Sequence, residues 1–555
     1  MIGLQLPSVL ASVGFLATEA NGEASEFLRQ EIAAVVLLAI GAGVAVLAKR
    51  LKFPYTVALV LAGFAASTLG ELVAVDVSPD LILALLVPPL LFEATLHLPW
   101  VKLKADLTPV LLLAVFGTAA GTLGLGWLVH ATLGIPWPAA FAFGALISAT
   151  DPVAVIAFFK SLGTPKRLSV LVEGESLFND AVAVVAFTLA VGVAEGTEFS
   201  VGGAAIDFIV VSVGGLAVGA VLGYVVGAVI LARLDDALIE TATTLALAYG
   251  SYLLAERFGA VVGAEFHFSG ILAVVAAGLM VGTVGLTNTS PTTRITLEHF
   301  WELLTFLVNS MVFLTIGLTI PPQVLLKELD AVLIALVGVL VVRLVLVHGL
   351  SIVTQRLVPR RRIPMKYRHV MMWGGLRGAI SLALVLTMTA EVFGEETAET
   401  VRVMTFGVVL FTLLIQGTTM TGLIRRLGLS GTADNEMAQQ RHQARIAMRR
   451  AGQSEVGRLG AEGVLFSDMA DALARTYQRD IASESSSLRD HFTGHPELEA
   501  SMLIQARRDA LVAERSALAD IDRTGLVDTQ VATDLAVELN NRMAALDLIE
   551  ERWES

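Results

Sequence analysis

The chain has 555 residues, of which 55% are apolar and only 16% charged, and its mean hydropathy is +0.73. Soluble proteins carry about 25% charged residues, so this composition excludes a purely soluble enzyme. Cysteine is absent, which removes disulfides, thiolate metal sites and cysteine nucleophiles together.

The charge is unevenly spread. Residues 1–428 hold 29 acidic and 24 basic side chains, net −5, whereas residues 429–555 hold 22 and 14, net −8, with no lysine. A membrane body is therefore followed by a water-soluble tail, and neither carries the basic stripe that nucleic acid requires. The expected organisation is an extracytoplasmic segment over 1–28, a transmembrane body over 29–428 and a helical cytoplasmic domain over 429–555.

A bilayer core about 30 Å thick needs about 20 apolar residues per helix. The stretch Leu4 to Ala17 is short for this, and no Lys or Arg precedes it to make a signal peptide. Thirteen spans follow, at 31–48, 55–75, 80–98, 107–133, 137–159, 170–194, 201–232, 240–257, 267–286, 300–319, 330–354, 366–389 and 402–425. The loops after odd-numbered spans hold eighteen Lys and Arg, against four on the opposite side. The positive-inside rule then puts the N-terminus outside and the tail in the cytoplasm of a multi-pass cell-membrane protein.

Thirteen spans divide into two inverted six-helix repeats around a linking helix, the plan of many secondary transporters. The fifth span of each set carries a helix breaker beside a charge. These are Thr150-Asp151-Pro152 in the first and Gly374-Gly375-Leu376-Arg377-Gly378 in the second. Pro152 removes a backbone donor, and paired glycines loosen a helix. The expected fold is thus an all-α polytopic membrane protein with two broken, crossing helices.

An ionised group at mid-span costs about 2.5–3.5 kcal/mol even on the mildest scale. The densest such set lies in span six, where Glu173, Glu175, Ser176, Asn179 and Asp180 fall on one polar stripe at helical spacing. Three carboxylates on one stripe repel unless cations or protons intervene. Arg377 is the obvious deep cation, able to neutralise one carboxylate and to face the negative ends of the broken half-helices. Asp151 is placed to cap the half-helix after the first break, which leaves Asp180 without a permanent partner. Oxygen donors without Cys or His suit a hard monovalent or divalent cation, not a transition metal.

Three motifs, Ser148-Ala-Thr-Asp-Pro-Val-Ala-Val155, Glu173-Gly-Glu-Ser-Leu-Phe-Asn-Asp180 and Gly374-Gly-Leu-Arg-Gly-Ala379, resemble the monovalent cation:proton antiporters of the NhaP and NHE type. Pro88-Pro-Leu-Leu-Phe-Glu-Ala94, Ser269-Gly-Ile-Leu-Ala273 and Phe300-Trp301 fit the same family, over roughly residues 30–428. The resemblance implies exchange of Na+ for H+, with Li+ or K+ as other cations and no cofactor. It implies that Asp180 binds cation and proton by turns, completed by Ser176, the Thr150 carbonyl and Asp151. It also implies that Glu175 pairs with Arg377 near Asn179, that the Asn179-Asp180 pair goes with electroneutral exchange, and that the protein is a homodimer.

Two other functions fit parts of the pattern. A sodium-coupled organic-anion symporter uses a similar scaffold. An intramembrane aspartyl protease would pair Asp151 with Asp180, but its Gly-x-Gly-Asp signature is missing. Glu93 reads either as a funnel residue or as a bonded structural carboxylate. Arg343, alone in span eleven, reads as structural with an acidic neighbour. In the tail, Arg441, Arg445, Arg449 and Arg450 form either a lipid-facing stretch or a solvated face. Apolar residues at helical spacing from Leu498 to Ile549 suggest helical hairpins.

Overall fold

The structure is a computed structural model that describes residues 35, 38–48, 50, 55–67, 82–197, 200–263, 266–318, 322–493, 496–523 and 527–554. The stretch from Leu4 to Ala17 and the proposed N-terminal segment lie outside the described residues. Among the described residues the secondary structure is helical throughout. They fall into two compact units, one within 1–161 and 166–427 and the other within 162–165 and 428–555.

In the first unit the main helices are α1 (Tyr55–Ser67), α2 (Val87–Leu96), α3 (Thr118–Leu133), α4 (Trp137–Ser148), α5 (Val153–Leu162), α6 (Lys166–Ala194) and α7 (Val201–Tyr224). They continue with α8 (Ala237–Glu256), α9 (Gly270–Met280), α10 (Pro291–Leu318), α11 (Leu329–Leu357), α12 (Met365–Trp373), α13 (Ala379–Leu386) and α14 (Glu395–Phe411). Several short turns join them. Helix starts follow local chemistry: Asp236 Oδ1 accepts the amides of Leu238 and Ile239 at 2.9 and 3.0 Å, and Ser269 Oγ accepts that of Leu272 at 3.2 Å. Gly134 ends α3 at φ +69°, a left-handed conformation that a side chain disfavours.

Eight segments of the described residues are long and apolar enough to cross a membrane, and three shorter apolar helices precede them. Burial separates their roles. Trp137–Leu162, Gly270–Asn288 and Glu395–Arg426 are two-thirds buried in protein, whereas Gly202–Arg233 is 22% buried and presents Ile206, Ile209, Val210 and Val213 outward. The first three therefore form the packed interior.

Both expected breaks are present. The segment 137–162 is helical except at 149–152, and 365–386 is helical except at 374–378. The site helix α6 begins at Lys166, one turn before the expected start of span six, so Lys166 and Arg167 belong to it and not to the preceding loop. Its first turn is anchored there. Arg167 donates to both oxygens of the buried Asp106 at 2.9–3.2 Å and to the carbonyls of Arg361 and Arg362.

The second unit contains α15 (Thr432–Ala461), α16 (Ser467–Thr493), α17 (Pro496–Arg523) and α18 (Thr529–Glu554). Two of the four arginines in its basic stretch face neighbouring acids. Arg445 lies 3.4 Å from Glu484, which also binds His442 Nδ1 at 2.7 Å, and Arg449 lies 3.0 Å from Asp480. Helices α17 and α18 join through Leu511, Leu539 and Leu546, with Leu518 and Met543 packed against them. Leu503, Ile521 and Leu535 share the apolar periodicity but are exposed, because the stripe is wider than the seam it fills.

Candidate ion-binding site

The first break follows from its residues. A residue before proline is pushed out of the helical region, and Pro152 has no N–H to continue the ladder. Helix α4 therefore ends at Ser148, whose Oγ donates to the Gly144 carbonyl at 2.6 Å. Asp151 Oδ1 accepts the Val153 amide at 2.9 Å and caps the start of α5. The Asp151 amide in turn donates to the Leu376 carbonyl at 2.8 Å, so the two breaks are bonded to each other where they cross.

The second break needs its glycines. A Cβ on Gly378 would lie 2.0 Å from Asp151 Oδ2, and one on Gly375 would lie 2.9 Å from Arg343 Nε. Ser381 Oγ donates to the Leu146 carbonyl at 2.6 Å, tying α13 to α4. The Arg377 amide donates to Thr412 Oγ1 at 3.2 Å, and Thr412 opens a π-helical turn over Thr412–Gln416. Such turns recur at functional sites because they widen the helix locally.

Helix α6 lies against this crossing. Ser176 Oγ donates to the Thr150 carbonyl. Asn179 Nδ2 donates to Thr150 Oγ1 at 2.7 Å, and its Oδ1 accepts the Thr150 amide at 3.4 Å. Thr150 is thus held at its amide, carbonyl and hydroxyl by two residues of the polar stripe. A cavity with about 60 Å³ open to water centres adjoins them, lined by Thr150, Asp151, Ser176, Asp180, Gly378 and Ser381 among others. One water needs about 10–15 Å³ by that measure, so several fit. Asp180 is 7% exposed, and among the described residues its carboxylate makes no hydrogen bond or ion pair.

The charges sort by helix end. Arg377 NH1 donates to the Ala149 carbonyl at 3.3 Å, at the C-terminal end of α4. Arg343 NH2 donates to the Met371 carbonyl at 3.1 Å, near the C-terminal end of α12. Asp151 lies at the opposite ends, where α5 and α13 begin. Cations meet negative helix ends and an anion meets positive ones, the arrangement the helix dipole favours.

One expected pair is corrected. Glu175 does not pair with Arg377; its Oε1 accepts Arg343 NH1 at 2.5 Å. Arg343 meets α6 at Glu175, while the non-helical backbone at 374–378 carries Arg377 to Ala149. Sequence identified Arg343 as structural beside an acidic neighbour but gave that neighbour to another arginine. Arg343 itself was marked, as the one charge in the interior of span eleven, but nothing local names the carboxylate it meets.

Of the residues singled out from sequence, Thr150, Asp151, Ser176 and Asp180 come together at one cavity. Asn179 holds Thr150 from the side, and Glu175 and Arg377 lie on a second, smaller cavity. Glu173 and Glu93 line neither. Glu93 lies 3.5 Å from His97 Nδ1, four residues along its own helix. Ser381 and Thr412 were not anticipated as site-builders, since nothing local marks them, whereas Gly378 belonged to the expected break.

Two broken helices crossing beside a cavity lined by two carboxylates are a geometry that membrane transporters use to bind ions. The family described as "Sodium/hydrogen exchanger, transmembrane" matches residues 34–426, and this chain belongs to it. The Na(+)/H(+) antiporter ApNhaP of Aphanothece halophytica is 36% identical over 510 residues, covering 90% of this chain and 94% of the relative. The Na(+)/H(+) antiporter NhaG of Bacillus atrophaeus is 34% identical over 517 residues, covering 89% and 93%. The sodium proton antiporter MjNhaP1 of Methanocaldococcus jannaschii shares the fold, with a TM-score of 0.63 at 21% identity over 72% of this chain and 99% of that one. The chain is a multi-pass membrane transporter, not an enzyme.

Proposed function

We propose that this chain exchanges Na+ for H+ across the cell membrane, and that both ions use Asp180 by turns. The observation that carries this reading is the Asp180 carboxylate, buried, without a protein partner among the described residues, and lining a cavity with room for several waters. A dehydrating Na+ finds there the oxygens of Asp180, Asp151, Ser176 and Thr150. A proton and a cation compete for the same carboxylate because each removes the charge that attracts the other. The small cavity and its two carboxylates argue against an organic-anion cargo.

The crossing is held as one piece by the Asp151–Leu376 and Ser381–Leu146 bonds, so it is the loaded piece that changes exposure from one face to the other. Around it we place thirteen spans as two inverted repeats with a linking helix, N-terminus outside. The domain after residue 428 is cytoplasmic and regulatory, and the transporter is a homodimer. Asn179 is spent on Thr150 and takes no cation, which supports a one-for-one, electroneutral exchange.

Purified protein in vesicles loaded with a pH-sensitive dye tests this. A Na+ pulse alkalinises or acidifies the lumen according to gradient, and Asp180→Asn abolishes the response; retained exchange in that variant overturns the reading. An imposed membrane potential leaves the initial rate nearly unchanged if exchange is electroneutral.

A further inference from the structure

Three membrane-crossing segments end at one buried carboxylate. Asp106 immediately precedes Leu107–Leu133, Arg167 is the second residue of Lys166–Ala194, and Arg361 follows the end of Leu329–Leu357 by four residues. Arg167 joins the three. It donates to both Asp106 oxygens at 2.9–3.2 Å and to the carbonyls of Arg361 and Arg362 at 3.2 and 3.1 Å. The junction therefore lies where hydrocarbon gives way to water, and the charge bias of the loops makes that side the cytoplasmic one.

Its charge is one-sided. Residues 100–106, 166–167 and 359–362 hold seven Lys and Arg against Asp106 alone. That one acid is 3% exposed and already engaged at both oxygens by Arg167. Arg361 is surplus to it: its guanidinium is 42% exposed, lies 3.9 Å from Asp106 and donates no hydrogen bond among the described residues. Lys104 and Lys166 are exposed as well. A guanidinium fork beside ammonium groups fits the oxygens of a phosphate.

The neighbouring surface selects the source of that phosphate. The short helix Trp100–Ala105, which leads into Asp106, carries Lys102 and Lys104 beside Val101, a side chain 81% exposed. An apolar group so exposed at a membrane boundary, next to cations, fits a ligand that brings acyl chains with its charge, not a free anion. We propose that this junction binds an anionic phospholipid of the adjoining leaflet, with Arg361 and Lys104 on its phosphate and Val101 against its chains. Arg361 is free to turn to the headgroup because Asp106 keeps Arg167. The bound lipid then braces the loop between α11 and α12 from outside, as Arg167 holds it from inside. The inference goes beyond the exchange reading and stands apart from the role of Asp180.

Native mass spectrometry of the full chain in detergent, titrated with phosphatidylglycerol or with phosphatidylcholine of the same acyl chains, tests it. The wild-type protein is expected to retain phosphatidylglycerol in preference, and Lys104→Gln with Arg361→Gln to weaken that binding about fivefold for each cation removed. Arg425→Gln with Arg426→Gln removes equal charge at the end of another membrane segment and is expected to leave it unchanged. Val101→Ser is expected to weaken phosphatidylglycerol binding while all cations remain. Should the Lys104 and Arg361 pair of substitutions prevent folding, Arg361→Gln alone, with Asp106 still paired to Arg167, carries the same reading. No preference for phosphatidylglycerol in the wild type overturns the proposal, as does an equal loss in the Arg425 and Arg426 variant, which would make the attraction diffuse. Displacement of the lipid by inorganic phosphate at equal concentration also overturns it, in favour of a free-anion site.

Discussion

The backbone amide of Asp151 donates to the carbonyl of Leu376 at 2.8 Å, joining the midpoints of two helices that are more than 200 residues apart in the chain. The side chain of the same residue caps α5 through Val153. Asp151 therefore has a structural duty, met by any acceptor, and an electrostatic one, met only by a charge. Asp151→Asn keeps the cap and is expected to fold normally while its apparent affinity for Na+ falls. Asp151→Ala loses the cap as well and is expected to cost about 1 kcal/mol of stability in addition. Thermal unfolding in detergent, read beside vesicle exchange, separates the two.

Gly378 is fixed by the same carboxylate. A methyl group there would lie 2.0 Å from Asp151 Oδ2, so Gly378→Ala must displace Asp151 or the start of α13. We expect exchange to be abolished in this variant. Gly375→Ala, which meets Arg343 Nε at 2.9 Å, is expected to weaken stability more than it weakens ion binding.

The choice of arginine for Glu175 is open to a double-mutant cycle. Removing one partner of a buried ion pair costs about 3–5 kcal/mol, since the other is left charged and alone. Glu175→Gln and Arg343→Met are expected to be strongly non-additive, with the double variant more stable than their sum predicts. Glu175→Gln with Arg377→Met is expected to be much closer to additive. Unfolding midpoints of the three single variants, the two double variants and the parent decide it.

In the second unit, hydrogen bonding from His442, joined by Arg445 and Arg449, holds the Glu484 carboxyl below its ordinary value of 4.5. A carboxyl with a lowered folded-state pKa contributes stability that is fully present above its ordinary value and lost as pH falls through the lowered one. Hydrogen exchange of α15 and α16 is therefore expected to speed up as pH drops below about 4.5, after correction for intrinsic rates. Glu484→Gln is expected to flatten that dependence and to raise exchange at neutral pH.

The breaks were legible in sequence because proline and paired glycine act locally: each dictates backbone conformation whatever surrounds it. The stripe from Glu173 to Asp180 was legible because helical period alone places those residues together, but the bonds from Asn179 to Thr150 were not, since Asn179 was expected beside Glu175 and Arg377. Arginine pairing was not legible. Arg343 and Arg377 carry equal charge on equally long side chains, and which one meets Glu175 depends on how α11 crosses α6, which no local pattern encodes. Ser381 and Thr412 were hidden for a related reason, since a lone hydroxyl on an apolar helix satisfies itself by bonding one turn back as readily as it bridges to another helix.

The five ionisable groups at the crossing carry an odd tally. Glu175, Asp151 and Asp180 contribute three negative charges when ionised, against two positive charges from Arg343 and Arg377. Under the proposed exchange the assembly is neutral with either guest aboard and carries one excess negative charge when it is bare. Shifting a net charge through hydrocarbon costs at least about 2.5–3.5 kcal/mol, so the bare form is held back while the laden form passes. On that proposal, leakage in either direction is suppressed without a gate that must recognise which ion has arrived.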